Sequence, residues 1–201
     1  MTERTVLIFA KPPLIGLSKT RLAGGLGRAE ARRIARMTTA KTLRAAVDPR
    51  WRTVLYAAPD KHRLKSFGGL WPQRLARASQ GRGDLSDRLD RGLREAPRGD
   101  VLFIGADAPD VTKARLWQAF QDLKRADAVF GPATDGGFWL FGVRRSVRFA
   151  SPFRPARWSG PHALSDVLGN LPPKARTLAQ DTLIDLDEAE DWRAWRTTKN
   201  Q

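Results

Sequence analysis

Three basic residues, Lys11, Lys19 and Arg21, stand in "FAKPPLIGLSKTRLAGGLG", Phe9 to Gly27, directly after the apolar run Val6-Leu7-Ile8. Lysine offers a compact positive charge and arginine a planar fork that matches two phosphate oxygens, so the chemistry on offer is anion binding. The stretch is not a Walker A loop. That pattern needs glycines six residues and one residue before the lysine, and Pro13 and Ser18 stand there. The dinucleotide fingerprint fails as well: Gly25-Leu26-Gly27 lies too far past the apolar run, and Glu30 occupies the third glycine position. What survives is a loop shaped by Pro12, Pro13 and Gly16 that carries the three cations to one region. The same residues would serve equally well in a solvated basic turn.

Carboxylates recur in two other places. In "VLFIGADAPDVT", Val101 to Thr112, an apolar run reaches Gly105 and places Asp107 just beyond its end. Mg²⁺ or Mn²⁺ is commonly held by one or two carboxylates together with substrate phosphates and water, so a lone aspartate there suffices for metal chemistry. Asp107 or Asp110 could instead simply turn the chain, with Pro109 fixing the bend. In "GPATDGGFWLFG", Gly131 to Gly142, an Asp-Gly pair between apolar runs reads as a hairpin turn. Gly136-Gly137 would also let a ligand approach the backbone closely, and Asp135 would share a sheet edge with Asp107 if the two strands are neighbours.

The elements that must position these residues follow from hydrophobic period. Thr5–Ala10, Arg52–Ala58, Val101–Gly105, Ala128–Phe130 and Phe138–Val143 read as strands, with Thr182–Leu186 extended. Arg28–Val47, Asp84–Arg94, Thr112–Arg125, Pro161–Leu168 and Asp187–Arg196 read as helices, Asp84 or Ser86 and Thr112 being the expected caps. Leu64–Leu75 has little clear period, and Ser151–Gly160 reads as irregular. Strands alternating with helices imply an α/β fold with a mainly parallel, doubly wound sheet. In such folds ligands bind where loops leave the carboxyl ends of the strands, which is where all three stretches lie.

Composition bounds the partners. The chain has 201 residues, enough for one domain with its own core, no cysteine and only two histidines. Disulfides, thiolate metal sites and cysteine nucleophiles are excluded, and any metal would be held by oxygen. No stretch approaches the apolar length of a membrane span, and the opening run is too short for a secretory signal, so a cytoplasmic protein is expected. The net charge of +15 draws phosphates from solution. Lys and Arg are spread along the whole chain, so a nucleic acid is not the expected specific partner; a basic module that binds nucleotide or nucleic acid without turnover stays as the non-enzymatic alternative.

Taken together, "FAKPPLIGLSKTRL", "QGRGDLSDRL" (Gln80–Leu89), "IGADAPDVT", "GPATDGGFWLFG" and "DTLIDLDEAEDW" (Asp181–Trp192) resemble the nucleotide-diphospho-sugar transferase superfamily. Within it they resemble the bacterial radical-SAM/selenodomain-associated transferase 1 family. The resemblance spans nearly the whole chain, so residues 1–201 are expected to form a single Rossmann-like GT-A domain, a three-layer α/β/α fold with a mainly parallel mixed sheet. It implies a transferase that uses Mg²⁺ or Mn²⁺ and a nucleotide-activated donor, most readily a nucleotide-diphospho-sugar glycosylating a small acceptor. The alternative is nucleotidyl transfer of guanylyltransferase type to a small phosphorylated acceptor. By resemblance, Lys11, Lys19 and Arg21 meet donor phosphates and Asp107 is the principal metal ligand. Asp84 lies near the base or ribose, and Asp135, beside Gly136 and Gly137, acts on the acceptor side or at a second metal. A glycosyl transfer also needs a general base, for which Asp135 and His162 are candidates. Asp185 and Asp187 are expected to be structural, an aspartate there capping the last helix, with direct metal contact as the alternative. The chain departs from the family pattern at Ala108, Phe138 and Gly160, where hydroxyl- or thiol-bearing residues are usual.

Overall fold

The computed structural model describes residues 2–145 and 150–199. The order is β1 (Arg4–Ala10), α1 (Thr20–Leu26), α2 (Arg28–Ala46), β2 (Arg52–Ala57), β3 (Ala76–Ser79), α3 (Leu85–Glu95) and β4 (Gly99–Ile104). It continues with α4 (Lys113–Asp122), β5 (Ala128–Pro132), β6 (Phe138–Arg145), α5 (Ala163–Gly169), β7 (Thr177–Ala179) and α6 (Ala189–Lys199). The seven strands form one sheet in the order β3-β2-β1-β4-β6-β5-β7. Every pairing is parallel except those of β6, which runs antiparallel to both β4 and β5. This is the mainly parallel α/β sheet that the alternating elements predict.

The apolar runs sit at the centre because both their faces are covered. Successive side chains of β1 point to opposite faces: Val6 and Ile8 pack with Leu43 of α2 and with Leu116 and Phe120 of α4, while Leu7 packs with Leu89 and Leu93 of α3 and Val167 of α5. All six residues of β4 are buried. A third cluster, in which Leu22 of α1, Ile34 of α2 and Trp192 and Trp195 of α6 enclose Leu186, fastens the C-terminal helix over the loop that follows β1. Gly25 permits this approach, since a Cβ there would lie 2.6 Å from Ala189 Cβ.

Three elements differ from the sequence reading. A short helix, α1, occupies part of the basic stretch that reads as a loop. The featureless region before Gln80 ends in β3, an edge strand of small and polar residues whose Arg77 guanidinium donates to the carbonyls of Arg63, Lys65, Trp71 and Pro72. Upstream of the extended segment Thr182–Leu186, whose Leu183 makes one bridge to Ala133, lies an edge strand, β7, that the sequence reading does not separate. An edge strand has one neighbour and little apolar face, so it leaves no hydrophobic alternation to read.

The topology brings four loops to one edge of the sheet. β1 and β4 are parallel, so the loops leaving Ala10 and Ile104 emerge side by side. β6 is antiparallel, so its first residues, with the turn from β5, lie at that same edge. β7 runs parallel to β5, which sends Gln180–Glu188 there too. Gln80 ties the ends of β1 and β2 together, donating from Nε2 to the carbonyls of Ala10 and Tyr56.

Candidate active site

Lys19 is the centre of the charge arrangement at this edge. It sits just before α1 in the left-handed backbone region, φ 54° and ψ 42°, which turns its side chain inward. Its ammonium lies 2.5 Å from Asp107 Oδ1 and 2.7 Å from Asp187 Oδ1, and the side chain is 4% exposed. Burial by itself would lower its pKa. The carboxylates of Asp107, Asp185 and Asp187 outweigh that and hold it above the usual lysine value. Arg21 reaches Asp187 Oδ2 at 2.6 Å and Glu188 at 3.5 Å from the exposed side. Burial would raise the pKa of Asp187, but Lys19 and Arg21 together hold it below the ordinary aspartate value.

Asp185 is in the opposite situation. Its Oδ1 is buried and has no hydrogen-bond partner among the described residues. Burial, reinforced by the negative charges of Asp107, Asp187 and Asp135 and only partly offset by Lys19, raises its pKa well above the ordinary value. Asp185 and Asp187 are therefore not helix caps, as the sequence suggests. The backbone amides of Asp187 and Glu188 are satisfied by Asp191 Oδ2, and the side chains of Asp185 and Asp187 turn into the cleft. Leu186 N donates to Asp107 O at 3.2 Å, which sets this segment against the loop after β4.

The cleft has two contiguous lobes that share Phe9, Arg21, Leu85 and Asp187. The larger, about 410 Å³, is lined by Lys11, Lys19, Arg21, Arg88, Gln80 and Asp107. The smaller, about 230 Å³, runs beside Phe138, Trp158, Ser159 and Gly160 to Asp135, Gly137 and Asp185. Asp135 is exposed on the β5–β6 turn, with Oδ1 accepting from Gly137 N at 2.9 Å. Lys11, Lys19, Arg21, Asp107, Asp135 and Gly137 thus all reach one cleft, as their positions in the sequence suggest.

Three expected residues have other work. Asp84 caps α3, accepting from Asp87 N while Asp87 accepts from Asp84 N; the α3 residues that face the cleft are Leu85, Arg88 and Leu89, one, four and five positions on. Gly136 has φ +86° and a Cβ there would stand 2.4 Å from Pro161 Cα, so chain packing by itself requires its glycine. His162 precedes α5 outside both lobes, and of the two base candidates only Asp135 lines the cleft. Arg88 and Gln80 are the functional candidates that motif reading passes over. Arg88 had a legible signal, one helical turn beyond the Asp84 cap.

Among the described residues, no set of three or more His, Asp or Glu side chains is arranged to hold a metal ion by itself. The donors present nevertheless fit Mg²⁺ or Mn²⁺. Asp107 and Asp185 are hard oxygen ligands, the orphaned Asp185 Oδ1 lacks a partner that a cation would supply, and such ions take their remaining ligands from phosphates and water.

Residues 39–160 match the family described as "Uncharacterized protein conserved in bacteria (DUF2064)". The chain belongs to that family. No curated protein matches it in sequence. Among solved structures, it resembles a "putative nucleotide-diphospho-sugar transferase" from Desulfovibrio desulfuricans G20, with 26% identity, a TM-score of 0.90, and coverage of 100% of this chain and 90% of that one. It also shares its fold with CMP:2-keto-3-deoxy-manno-octonic acid synthetase complexed with CTP, at 11% identity and a TM-score of 0.59 over 100% of this chain and 99% of that one. A third is Rv0371C of Mycobacterium tuberculosis H37Rv in complex with manganese, at 15% identity and a TM-score of 0.53 over 96% and 97%. Among the described residues no helix is long and apolar enough to cross a membrane.

Proposed function

We propose that this DUF2064 chain is a metal-dependent transferase that uses a nucleotide-diphospho-sugar to glycosylate a small acceptor, as a one-domain cytoplasmic enzyme. The five sequence blocks support the finer placement in the radical-SAM/selenodomain-associated transferase 1 family. The observation that carries the functional reading is the buried Lys19 ammonium held between Asp107 and Asp187 beside the unpartnered Asp185, at the strand ends where α/β folds bind ligands.

In this reading the donor diphosphate lies in the larger lobe, where Lys11, Lys19, Arg21 and Arg88 converge. Asp107, with Asp185, would hold Mg²⁺ or Mn²⁺, which supplies charge neutralisation at the departing phosphate. Lys19 and Arg21 are fixed in place by Asp187 before substrate arrives, so they offer positive charge to the leaving group without reorganisation. The acceptor oxygen attacks the anomeric carbon from the smaller lobe. The bond from that carbon to the diphosphate oxygen breaks, and its electron pair leaves with the diphosphate. The acceptor proton passes to the Asp135 carboxylate, whose Oδ1 is anchored by Gly137 N–H and whose Oδ2 is left for substrate.

The test is thermal unfolding with a panel of nucleotides and nucleotide-sugars, with and without Mn²⁺. Metal-dependent stabilisation by a nucleoside diphosphate or its sugar is expected. A preference for triphosphates would reassign the reaction to nucleotidyl transfer. Stabilisation by nucleic acid alone, falling steeply with salt, would leave only the basic binding module.

A further inference from the structure

We infer that the smaller lobe admits an unphosphorylated acceptor, an alcohol or a hydroxyl-bearing amine carried on a flat apolar body, and excludes phosphorylated ones; this rests on the transferase reading above. Its walls are Phe9, Phe138, Trp158, Leu85 and Leu89. Phe138 and Trp158 meet edge to face at 6.2 Å, and Trp158 Nε1 donates to the buried Ser86 Oγ at 2.7 Å, which fixes the indole as a wall. Phe138 and Gly160 bring no hydroxyl to the lobe, so the wall they form offers dispersion and ring contact.

Carboxylates outnumber cations in the lobe. Asp135, Asp185 and Asp187 line it, and Arg21 is its only cation among the described residues. Arg21 is already engaged by Asp187 and Glu188. The other cations converge on the larger lobe, so the two halves of the cleft differ in what they accept. In the reading above, Arg21 and any metal ion on Asp107 and Asp185 serve the donor diphosphate, so a phosphomonoester, which brings roughly −1.5 to −2 charge at neutral pH, would face the Asp135 carboxylate without a cation of its own. An ammonium would meet that carboxylate and the ring faces together, a combination that recognises cations. At about 230 Å³ the lobe lies below the roughly 300–1,000 Å³ of drug-sized sites, which limits the acceptor to a small molecule.

The test uses a matched set: tyramine, 2-(4-hydroxyphenyl)ethanol and the phosphate monoester of that alcohol, each titrated into the full chain by ligand-observed NMR. The amine and alcohol should compete for one site, the amine binding tighter, and the phosphate ester should bind at least about tenfold more weakly, because like charge placed against like charge costs affinity. Phe138→Ala should weaken amine and alcohol alike. Asp135→Asn, at an exposed position where the amide oxygen can still accept from Gly137 N, should narrow the gap between alcohol and phosphate ester. Equal or tighter binding of the phosphate ester overturns the inference, as does failure of all three probes to bind. The nucleotide panel is read on the same protein. Nucleotide stabilisation without discrimination among the probes removes this inference alone, whereas discrimination without nucleotide stabilisation removes the donor reading alone.

Discussion

Lys19 and Asp187, 168 residues apart in the chain, meet at 2.7 Å and join the loop after β1 to the segment before α6. Replacing the lysine tests two properties at once. Lys19→Ala leaves Asp107 and Asp187 facing each other and should cost about 1–3 kcal/mol, below the range for breaking a fully buried pair, because the carboxylate side chains are 42% and 32% exposed. Lys19→Gly loses the same charge but suits the left-handed backbone, and should be about 1 kcal/mol more stable than Lys19→Ala. Urea unfolding compares them, and both should lose nucleotide stabilisation. Equal stability of the two variants would mean that the backbone there is not strained.

Asp107→Asn should keep the fold while abolishing the Mn²⁺ dependence of nucleotide stabilisation. Asp107 is partly exposed beyond the end of β4, and its backbone carbonyl, which holds Leu186, is untouched by the change. Thermal shift with the preferred nucleotide, with and without metal, checks this. Metal dependence that survives in the variant would move the principal ligand elsewhere, with Asp185 the next residue to change.

The adjacent glycines of the β5–β6 turn should behave differently. Gly136→Ala adds a Cβ 2.4 Å from the Pro161 backbone at a positive φ, and should destabilise by about 2 kcal/mol or more. Gly137→Ala would bring its Cβ to 3.1 Å from Asp135 Oδ1, a side-chain contact that can shift. Its stability cost should stay under about 1 kcal/mol, while turnover falls because Asp135 is displaced. Thermal unfolding beside steady-state rates separates the two, and an equal loss of stability in both variants would count against this division of roles.

Acid sensitivity has a local source at Asp48. The hydrogen bond from the Arg50 side chain, against a smaller opposing effect of burial, holds its carboxyl down at about 2. The folded value lies below the unfolded value of about 3.9, so the contribution is present above about pH 4 and is lost as pH falls toward 2. Wild type should therefore exceed Asp48→Asn in stability by a constant margin from pH 5 to 7, and the margin should close near pH 2. Thermal unfolding across that range reads it. A margin that persists at pH 2 would show that the difference does not come from the charge.

The amino-acid pattern carried the central strands and the long helices, since each has an apolar period strong enough to dominate its neighbours. β1 and β4 are continuous apolar runs because both faces of a central parallel strand are covered, and Thr112 and Asp84 announce α4 and α3 by cap chemistry alone. The same pattern could not show β3 or β7, which lie at sheet edges and have no buried face to advertise them.

The positions of Lys19, Arg21, Asp107 and Asp135 were legible because each follows or precedes an apolar strand, and strand ends are where side chains leave the core for the cleft. Which partners they have was not. Asp185 and Asp187 offer a cap or a metal contact in sequence, and Asp84 a cap or a ligand contact. Long-range folding brings the first two to the cleft by pinning Leu183 to Ala133 and Leu186 to Asp107. Residue types and periodicity act over one or two helical turns, so they settle which elements form and which charges stand at strand ends. A charge's function depends on what lies within a few ångströms, and only the strand order, with β6 reversed and β7 returned to the same edge, decides that Lys19 is held by carboxylates and Asp185 is left without a partner.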